Sequence, residues 1–189
     1  MDSGHKLKIS DRLRKFSPLL LIAVGLGVGA LSVIAFDQTM HVTSQNEFCM
    51  TCHADNAGKE WKQSVHYKNP QGVVVDCASC HIPRDFVPKM VVKVGALKDV
   101  WGFMQGKIST PAKYEALRME MAQHVWSRLK ANGAKECRQC HKLEAMHNPD
   151  MPFVKDEHDA ALKSGRICTD CHQGVAHTPP TKASVAHLP

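Results

Sequence analysis

The chain begins with a long apolar segment and is mostly polar after it. Residues Phe16 to Phe36 contain no charged side chain, and these 21 positions match the roughly 20 apolar residues that cross a bilayer as a helix. Asp37 follows the segment, and five basic residues precede it, namely Lys6, Lys8, Arg12, Arg14 and Lys15. By the positive-inside rule, this pattern predicts a cytoplasmic stub at 1–15, a transmembrane anchor at 16–36 and an exported domain at 37–189.

A cleaved signal peptide is the alternative interpretation of this segment. Val33-Ile34-Ala35 could serve as a small-residue cleavage site. The hydrophobic region of a signal peptide is only about 7–15 residues long, however, so we expect an uncleaved single-pass anchor in the lipid bilayer. Gly25 and Gly29 form a G-x-x-x-G pair, which is a weak signal for a homodimer because glycine is common in membrane helices.

Helical periodicity returns in the middle of the exported part. One helix is predicted at about 86–104, with lysines lying off its apolar stripe. A second is predicted at about 110–132, because Thr110 is a good N-cap and Pro111 suits the first helical position. The first stripe is Val87, Met90, Val91, Val94, Leu97, Trp101 and Met104, and the second is Tyr114, Leu117, Met121, Val125 and Leu129.

All eight cysteines fall into four Cys-x-x-Cys-His motifs. This spacing allows two thiols to add to the vinyl groups of one haem while the adjacent histidine reaches the iron. Zinc ribbons and structural disulfides also use paired cysteines, but neither gives the four matched histidines a role. The motifs therefore predict four covalent haem c groups, attached at Cys49 and Cys52, Cys77 and Cys80, Cys137 and Cys140, and Cys168 and Cys171.

The composition agrees with a core that is made largely of haem. Aromatic residues are only 6% of the chain, and the exported part has the length of one domain. We expect a mainly α fold in which short helices and loops wrap four macrocycles. The helix at 86–104 then either packs on haem or lies at a membrane surface. The net charge of +6 comes partly from the basic stub, and no aromatic-interleaved basic patch indicates nucleic-acid binding.

The motifs are arranged as an internal repeat. Motifs one and two begin 28 residues apart, motifs three and four begin 31 apart, and residues 82–136 separate the two pairs. Each pair has a histidine shortly before its second motif, His66 in one case and His158 in the other. This spacing predicts two dihaem halves, at about 45–85 and 134–180, with His66 and His158 in equivalent roles.

Histidines are the candidate iron ligands. The proximal candidates are the four motif histidines, His53, His81, His141 and His172. For the second axial position the repeat favours His66 and His158. His177 follows motif four too closely to complete its own haem easily, so we expect it to complete another. His147 is a further candidate, and the other spare histidines lack such support: His5, His41, His124 and His187.

Several segments around the motifs carry a more specific signal. They are Val65-His66-Tyr67, the run from Cys77 to Pro83, the run from Gln123 to Asn132 that leads into Glu136-Cys137-Arg138, and the run from Cys168 to His177. Together with the anchor and the first motif soon after it, they resemble the NapC/NirT family of membrane tetrahaem cytochromes. The resemblance covers about residues 16–180.

The resemblance implies a role in anaerobic respiration at the bacterial inner membrane, with the haem domain in the periplasm. Members of the family take electrons from the membrane quinol pool and pass them to a periplasmic reductase or its cytochrome subunit. Nitrate reductase is the favoured acceptor, and nitrite, N-oxide or S-oxide reductases are alternatives. The resemblance also implies that His66, His158 and His177 are distal ligands of three low-spin haems, and that the first haem lacks a strong sixth ligand and faces the quinol.

The residues around the first haem bear on the quinol site. Several family members have Met two residues after the first motif's histidine, where this chain has Asp55. His53 is therefore the proximal candidate for haem one, and Asp55 is a candidate for proton handling. Cys49 lies 12 residues after Asp37, which keeps it within about 40 Å of the membrane.

Asp99 and Lys93 resemble the acid and the lysine that the family places at its quinol pocket. A solvated pair of helix charges is the alternative, because charges at such spacing are common on helices. Two classes of function follow. One is a quinol dehydrogenase, and the other is an electron-carrying subunit without a quinol site of its own.

Overall fold

The computed structural model describes residues 17–143 and 150–180. Within these ranges the chain is helical and has no β-strand, which confirms the mainly α prediction. The basic stub at 1–15, Phe16 and the candidate ligand His147 lie outside the described residues. The chain forms two compact units, and the boundary between them falls after Thr43.

The described part of the first unit forms one helix, α1, at Pro18–Val42. Its 25 residues have a mean hydropathy of 2.6 over their most apolar part, so α1 is long and apolar enough to cross a membrane. The helix continues past Phe36, where the apolar segment ends, because the polar turn that follows keeps helical hydrogen bonds. The hydroxyl of Thr39, for example, donates to the carbonyl of Ala35 at 2.8 Å.

The second unit begins at Ser44 and consists of short helices joined by turns. In chain order they are α2 at Asn46–His53, α3 at Ala57–Trp61, α4 at Cys77–His81, α5 at Phe86–Gly95, α6 at Leu97–Met104, α7 at Pro111–Ala131, α8 at Lys135–Arg138, α9 at Phe153–Lys163, and a 3-10 turn at Cys168–Asp170.

Two helices were predicted between the two pairs of motifs, and the structure agrees with only one of them. The segment expected as one helix at 86–104 is two, because the chain breaks at Ala96 after Gly95, a poor helix former. Helix α7 has Thr110 as its N-cap, and the Thr110 hydroxyl accepts a hydrogen bond from the backbone N–H of Lys113 at 3.3 Å.

Little of the second unit is packed by its own apolar side chains. Among the described residues, the buried apolar ones are Trp61, Tyr114, Leu129 and Ala134. An ordinary domain of this size buries far more apolar surface than these four residues supply. A small number of buried apolar residues is expected for a chain that folds around large apolar cofactors.

Two close contacts hold α2, the helix that contains motif one, and the second of them ties it to motif two. Helix α3 approaches α2 so closely that a Cβ on Gly58 would stand 2.4 Å from the sulfur of Met50 and 2.7 Å from the carbonyl oxygen of His53. Only glycine fits there. At the other end of α2, the Asn46 side chain donates to Asp76 at 2.8 Å and accepts from the backbone N–H of Cys77 at 2.9 Å, which ties α2 to α4.

Candidate haem-binding sites

Each Cys-x-x-Cys-His motif lies in, or begins in, a helical turn. Motif one ends α2, motif two is α4, motif three begins in α8, and motif four begins in the 3-10 turn. In motifs three and four, the histidine N–H donates to the carbonyl of the first cysteine, at 2.9 Å for His141 and 2.8 Å for His172. Because residues three and four apart lie on one face of such a turn, each motif presents both thiols and its imidazole to one side.

Three motif histidines lie opposite a second histidine ring. The centroid of His81 is 6.1 Å from that of His177, His141 is 6.1 Å from His66, and His172 is 6.1 Å from His158. With metal–nitrogen bonds of about 2 Å, two imidazoles on opposite sides of one iron have centroids roughly 6 to 6.5 Å apart. The residues present therefore fit haem iron between each pair.

The surroundings of His81 and His177 favour the neutral imidazole that metal binding requires. Desolvation, together with the nearby His177 and Arg128, lowers the pKa of His81 to about 4. Burial lowers the pKa of His177, although the Glu60 carboxylate opposes this effect. Both rings are consequently neutral at physiological pH.

The orientation of His66 is set by the backbone near the C-terminal end of the described chain. Its Nδ1 lies 3.0 Å from the carbonyl oxygen of Val175. A carbonyl can only accept, so Nδ1 carries the proton and Nε2 is left with a lone pair for a metal. The carbonyl of His66 in turn accepts from the N–H of Val75 at 2.9 Å, which holds the loop before motif two.

The ring pairs cross between the two predicted halves. His66 precedes motif two but pairs with the histidine of motif three, and His177 follows motif four but pairs with that of motif two. His158 alone pairs within its own half. The repeat predicted equivalent roles for His66 and His158, and their partners differ because the chain folds the end of one half against the other.

His53 differs from the other motif histidines. Among the described residues, no second histidine ring stands opposite it at the spacing of the three pairs. Its Nδ1 is buried without a hydrogen-bond partner in the part of the chain that the structure describes. His53 nevertheless lies near the rings of His81 and His177, because its proximity contributes to the lowered pKa of both.

The attachment cysteines of successive motifs are neighbours. The thiols of Cys49 and Cys77 lie close enough for their interaction to lower the pKa of Cys49 to about 7 and to raise that of Cys77. Burial and the neighbouring Cys168 raise the pKa of Cys137 to about 11. Burial, Glu136 and Cys140 raise the pKa of Cys80, so motif two also lies beside motif three. The four motifs thus follow one another in space in the order of the sequence.

The two residues predicted for a quinol pocket occupy different surroundings. Lys93 of α5 is half-buried; burial lowers its pKa, and the proximity of Cys49 opposes this change. Its ammonium group is therefore close to the first haem attachment point. Asp99 is exposed in the first turn of α6, and Asp55 is exposed just after motif one.

The half-buried Glu60 and the buried Arg118 are functional candidates that the sequence did not reveal. They lie 58 positions apart and pair directly behind His177. Burial raises the pKa of Glu60, but the hydrogen bonds and charge of Arg118 outweigh it, so the net pKa is lowered. A lone glutamate and a lone arginine this far apart carry no recognisable motif, so only the fold reveals them.

A chain that presents two thiols and an imidazole on each of several helical turns is built to bind haem covalently, which is the defining property of a c-type cytochrome, an electron-transfer protein. Comparison with known proteins identifies the family of c-type cytochromes to which the chain belongs. The NapC/NirT cytochrome c family, N-terminal region, matches residues 12–182, so the protein belongs to this family, as the resemblance of its motifs predicted.

Individual relatives agree with this assignment. The chain is 40% identical to the cytochrome c-type protein NapC of Escherichia coli K12 over 168 residues, which cover 87% of this chain and 84% of NapC. It is 41% identical to a putative tetraheme cytochrome-c type protein of Allochromatium vinosum over 171 residues, or 89% and 92% of the two chains. It is 38% identical to the denitrification system component NirT of Stutzerimonas stutzeri over 161 residues, or 83% and 80%. No solved structure gives a significant match.

Proposed function

We propose that this protein is a membrane-anchored tetrahaem c-type cytochrome that oxidises membrane quinol and passes the electrons to a periplasmic reductase. The observation that carries the proposal is the set of three histidine ring pairs, each 6.1 Å apart, beside the four attachment motifs. Haem c, when bound, supplies the one-electron Fe(III)/Fe(II) couple.

In this proposal the chain gives three irons two histidine ligands each. His81 and His177 serve the haem of motif two, His141 and His66 that of motif three, and His172 and His158 that of motif four. Two imidazoles give a lower potential than a His/Met pair, which suits a carrier that receives electrons from quinol. His53 would bind the iron of the haem of motif one, and among the described residues no second histidine ring lies opposite it.

The neighbouring cysteines support an ordered electron path. Cys49 lies beside Cys77, Cys80 beside Cys140, and Cys137 beside Cys168. Residues that would hold successive cofactors thus lie near one another, from motif one to motif four. Electrons enter at motif one, which follows the anchor most closely, and leave from the far end of the series.

We place the site of quinol oxidation, where electrons enter this path, at motif one. Lys93 lies close to Cys49 there, and α1 ends at Val42, only seven residues before Cys49. Quinol oxidation releases two protons as well as two electrons, so carboxylates that can accept protons must be within reach. Asp99 and Asp55 are the candidates, and Asp99 is the favoured base because it matches the acid of the family's quinol pocket.

Periplasmic nitrate reductase, or its cytochrome subunit, is the favoured acceptor, since the chain is similar to NapC over most of its length. Its identity to NirT is nearly as high, and it also matches the cytochrome c-type protein TorC of Escherichia coli at 39% over 174 residues, although these cover only 44% of that longer protein. Nitrite, N-oxide and S-oxide reductases are therefore the alternatives. Reduced protein offered to each purified reductase in turn distinguishes them by the rate of haem reoxidation.

Replacing Asp99 by Asn tests the quinol site, because it keeps the shape of the side chain and removes the base. We expect quinol-driven haem reduction in lipid vesicles to slow by on the order of 10²-fold, the usual contribution of a general base. Dithionite bypasses the quinol site and should still reduce all the haem. Asp156→Asn, which changes an exposed aspartate of α9, is the matched control and should react at the wild-type rate.

Two outcomes contradict parts of this proposal. A wild-type rate for Asp99→Asn means that the base is elsewhere, and Asp55→Asn is then the variant to measure. If wild-type protein in lipid reacts with neither ubiquinol nor menaquinol, the quinol dehydrogenase is replaced by its alternative, an electron-transfer subunit that receives electrons from another protein.

A further inference from the structure

A buried ion-pair cluster lies behind His177. Arg118 of α7 is 7% exposed, and two carboxylates from different elements hold its guanidinium. Nη2 and Nη1 donate to the two oxygens of Glu60 at 2.6 and 3.0 Å, and Nε donates to Glu115 at 2.7 Å. The guanidinium also lies over the ring of Tyr114, 4.8 Å from its centroid. Because such a two-pronged contact fixes both partners, the Glu60 carboxylate has a defined position.

The same cluster holds the backbone next to His177. Nη1 of Arg118 donates to the carbonyl of Thr178 at 2.9 Å, and the N–H of Thr178 donates to Oε2 of Glu60 at 3.2 Å. This oxygen lies 3.8 Å from Nδ1 of His177. Nδ1 is itself buried and has no hydrogen-bond partner among the described residues. A movement of the His177 ring by about 1 Å would bring Nδ1 into hydrogen-bonding distance of the fixed carboxylate.

We propose that Glu60, fixed by Arg118, is the positioning residue for His177 and lowers the reduction potential of the haem attached at motif two. The inference rests on the proposed function, in which His81 and His177 are the axial ligands of that haem. An acceptor at Nδ1 keeps the proton there, leaves Nε2 for the metal and makes the imidazole a stronger donor. A stronger donor favours Fe(III) over Fe(II), which lowers the potential.

The carboxylate is the acceptor with the larger expected effect. The carbonyl of Ala57 is also near this side of the ring, but it is neutral, whereas Glu60 brings a negative charge that Arg118 keeps ionised. Arg118 is shared with Glu115, so loss of the Glu60 charge leaves the guanidinium with one carboxylate partner. The effect of Glu60 on the haem can therefore be measured without leaving a buried cation unpaired.

Glu60→Gln, which removes the charge and keeps the size, is the test. Full-length protein is titrated from oxidised to reduced, and each haem is followed by its EPR signal and its visible spectrum. We expect one haem to become easier to reduce, with the ratio of Fe(II) to Fe(III) rising about tenfold at a fixed potential, which corresponds to about 59 mV. The other three should keep their potentials. Glu115→Gln is the matched control, because Glu115 contacts Arg118 but is not the carboxylate facing His177, and it should shift none.

A failure of the role of Glu60 can be distinguished from a failure of the assignment of His177 as an iron ligand. If Glu60→Gln matches the wild type at every haem, or if Glu115→Gln produces the same shift, Glu60 does not tune the iron. His177→Ala then tests the ligand itself: loss of one low-spin signal keeps the axial assignment, and retention of all of them overturns it. Should Glu60→Gln not accumulate with its haems attached, Glu60→Asp, which withdraws the charge from Nδ1, is titrated in its place and must shift the same haem upward.

Discussion

Single histidines connect parts of the chain that are distant in sequence. His66 and His141 are 75 positions apart, and His81 and His177 are 96 apart, yet each pair of rings is separated by 6.1 Å. One iron bound between two such residues cross-links the chain as a structural metal does, so part of the binding free energy becomes folding free energy. Each distal histidine therefore affects the electronic state of a haem and the fold that surrounds it.

Replacing His66 by Ala should convert one low-spin haem to high spin. The ring of His66 is the partner of His141, and without it the iron of motif three loses its sixth ligand. The thioether bonds depend on cysteines rather than on His66, so the number of attached haems should be unchanged. EPR of the oxidised protein measures the change, and intact mass checks attachment.

His124→Ala is the control for this experiment, because His124 is exposed on α7 and is not one of the paired rings. It should leave every low-spin signal in place. An EPR spectrum of His66→Ala that is identical to the wild type would mean that His66 is not a ligand. His147, which lies outside the described residues, would be the next variant to make.

The helices α5 and α6 expose a stripe of apolar side chains to solvent. Val87, Val91, Val94, Leu97 and Trp101 are each at least 60% exposed, whereas Lys93 is half-buried near Cys49. This is the reverse of an ordinary surface helix, which buries its apolar stripe. Haem and a membrane surface are the two partners that the sequence allows for this stripe, and the variants below test the membrane surface.

A pair of charges on this stripe should impair the reaction with membrane quinol. Val91→Glu with Val94→Glu places two carboxylates where apolar side chains would enter the lipid interface, and we expect quinol-driven reduction in vesicles to slow on the order of tenfold. Reduction by dithionite should be unchanged. Val73→Glu with Val74→Glu, in the loop before motif two, is the matched control on an exposed apolar pair. Equal rates for the two double variants would show that the stripe does not contact the membrane.

Much of the whole molecule follows from residues that are close in sequence, and the rest does not. The mainly helical fold was predictable because motifs, caps and apolar periods are local signals, as at Thr110 and in the run from Pro18 to Phe36. The histidine partners of His66 and His177 could not be predicted, because spacing along the chain does not show which loop residue lies opposite which motif. The pairing of Glu60 with Arg118 likewise depends on tertiary contacts.

The last prediction concerns the mature protein as a whole. α1 is 25 residues long and apolar, which exceeds the hydrophobic region of a cleaved signal peptide, so we expect it to be retained. Detergent-purified protein should therefore have the mass of a polypeptide that retains α1, plus four covalent haems. A polypeptide that begins at Phe36 would show that the segment is a cleaved signal and would remove the anchor from the proposed function. Fewer than four haems would show that at least one motif is not modified, and the path from motif one to motif four would then be broken at that motif.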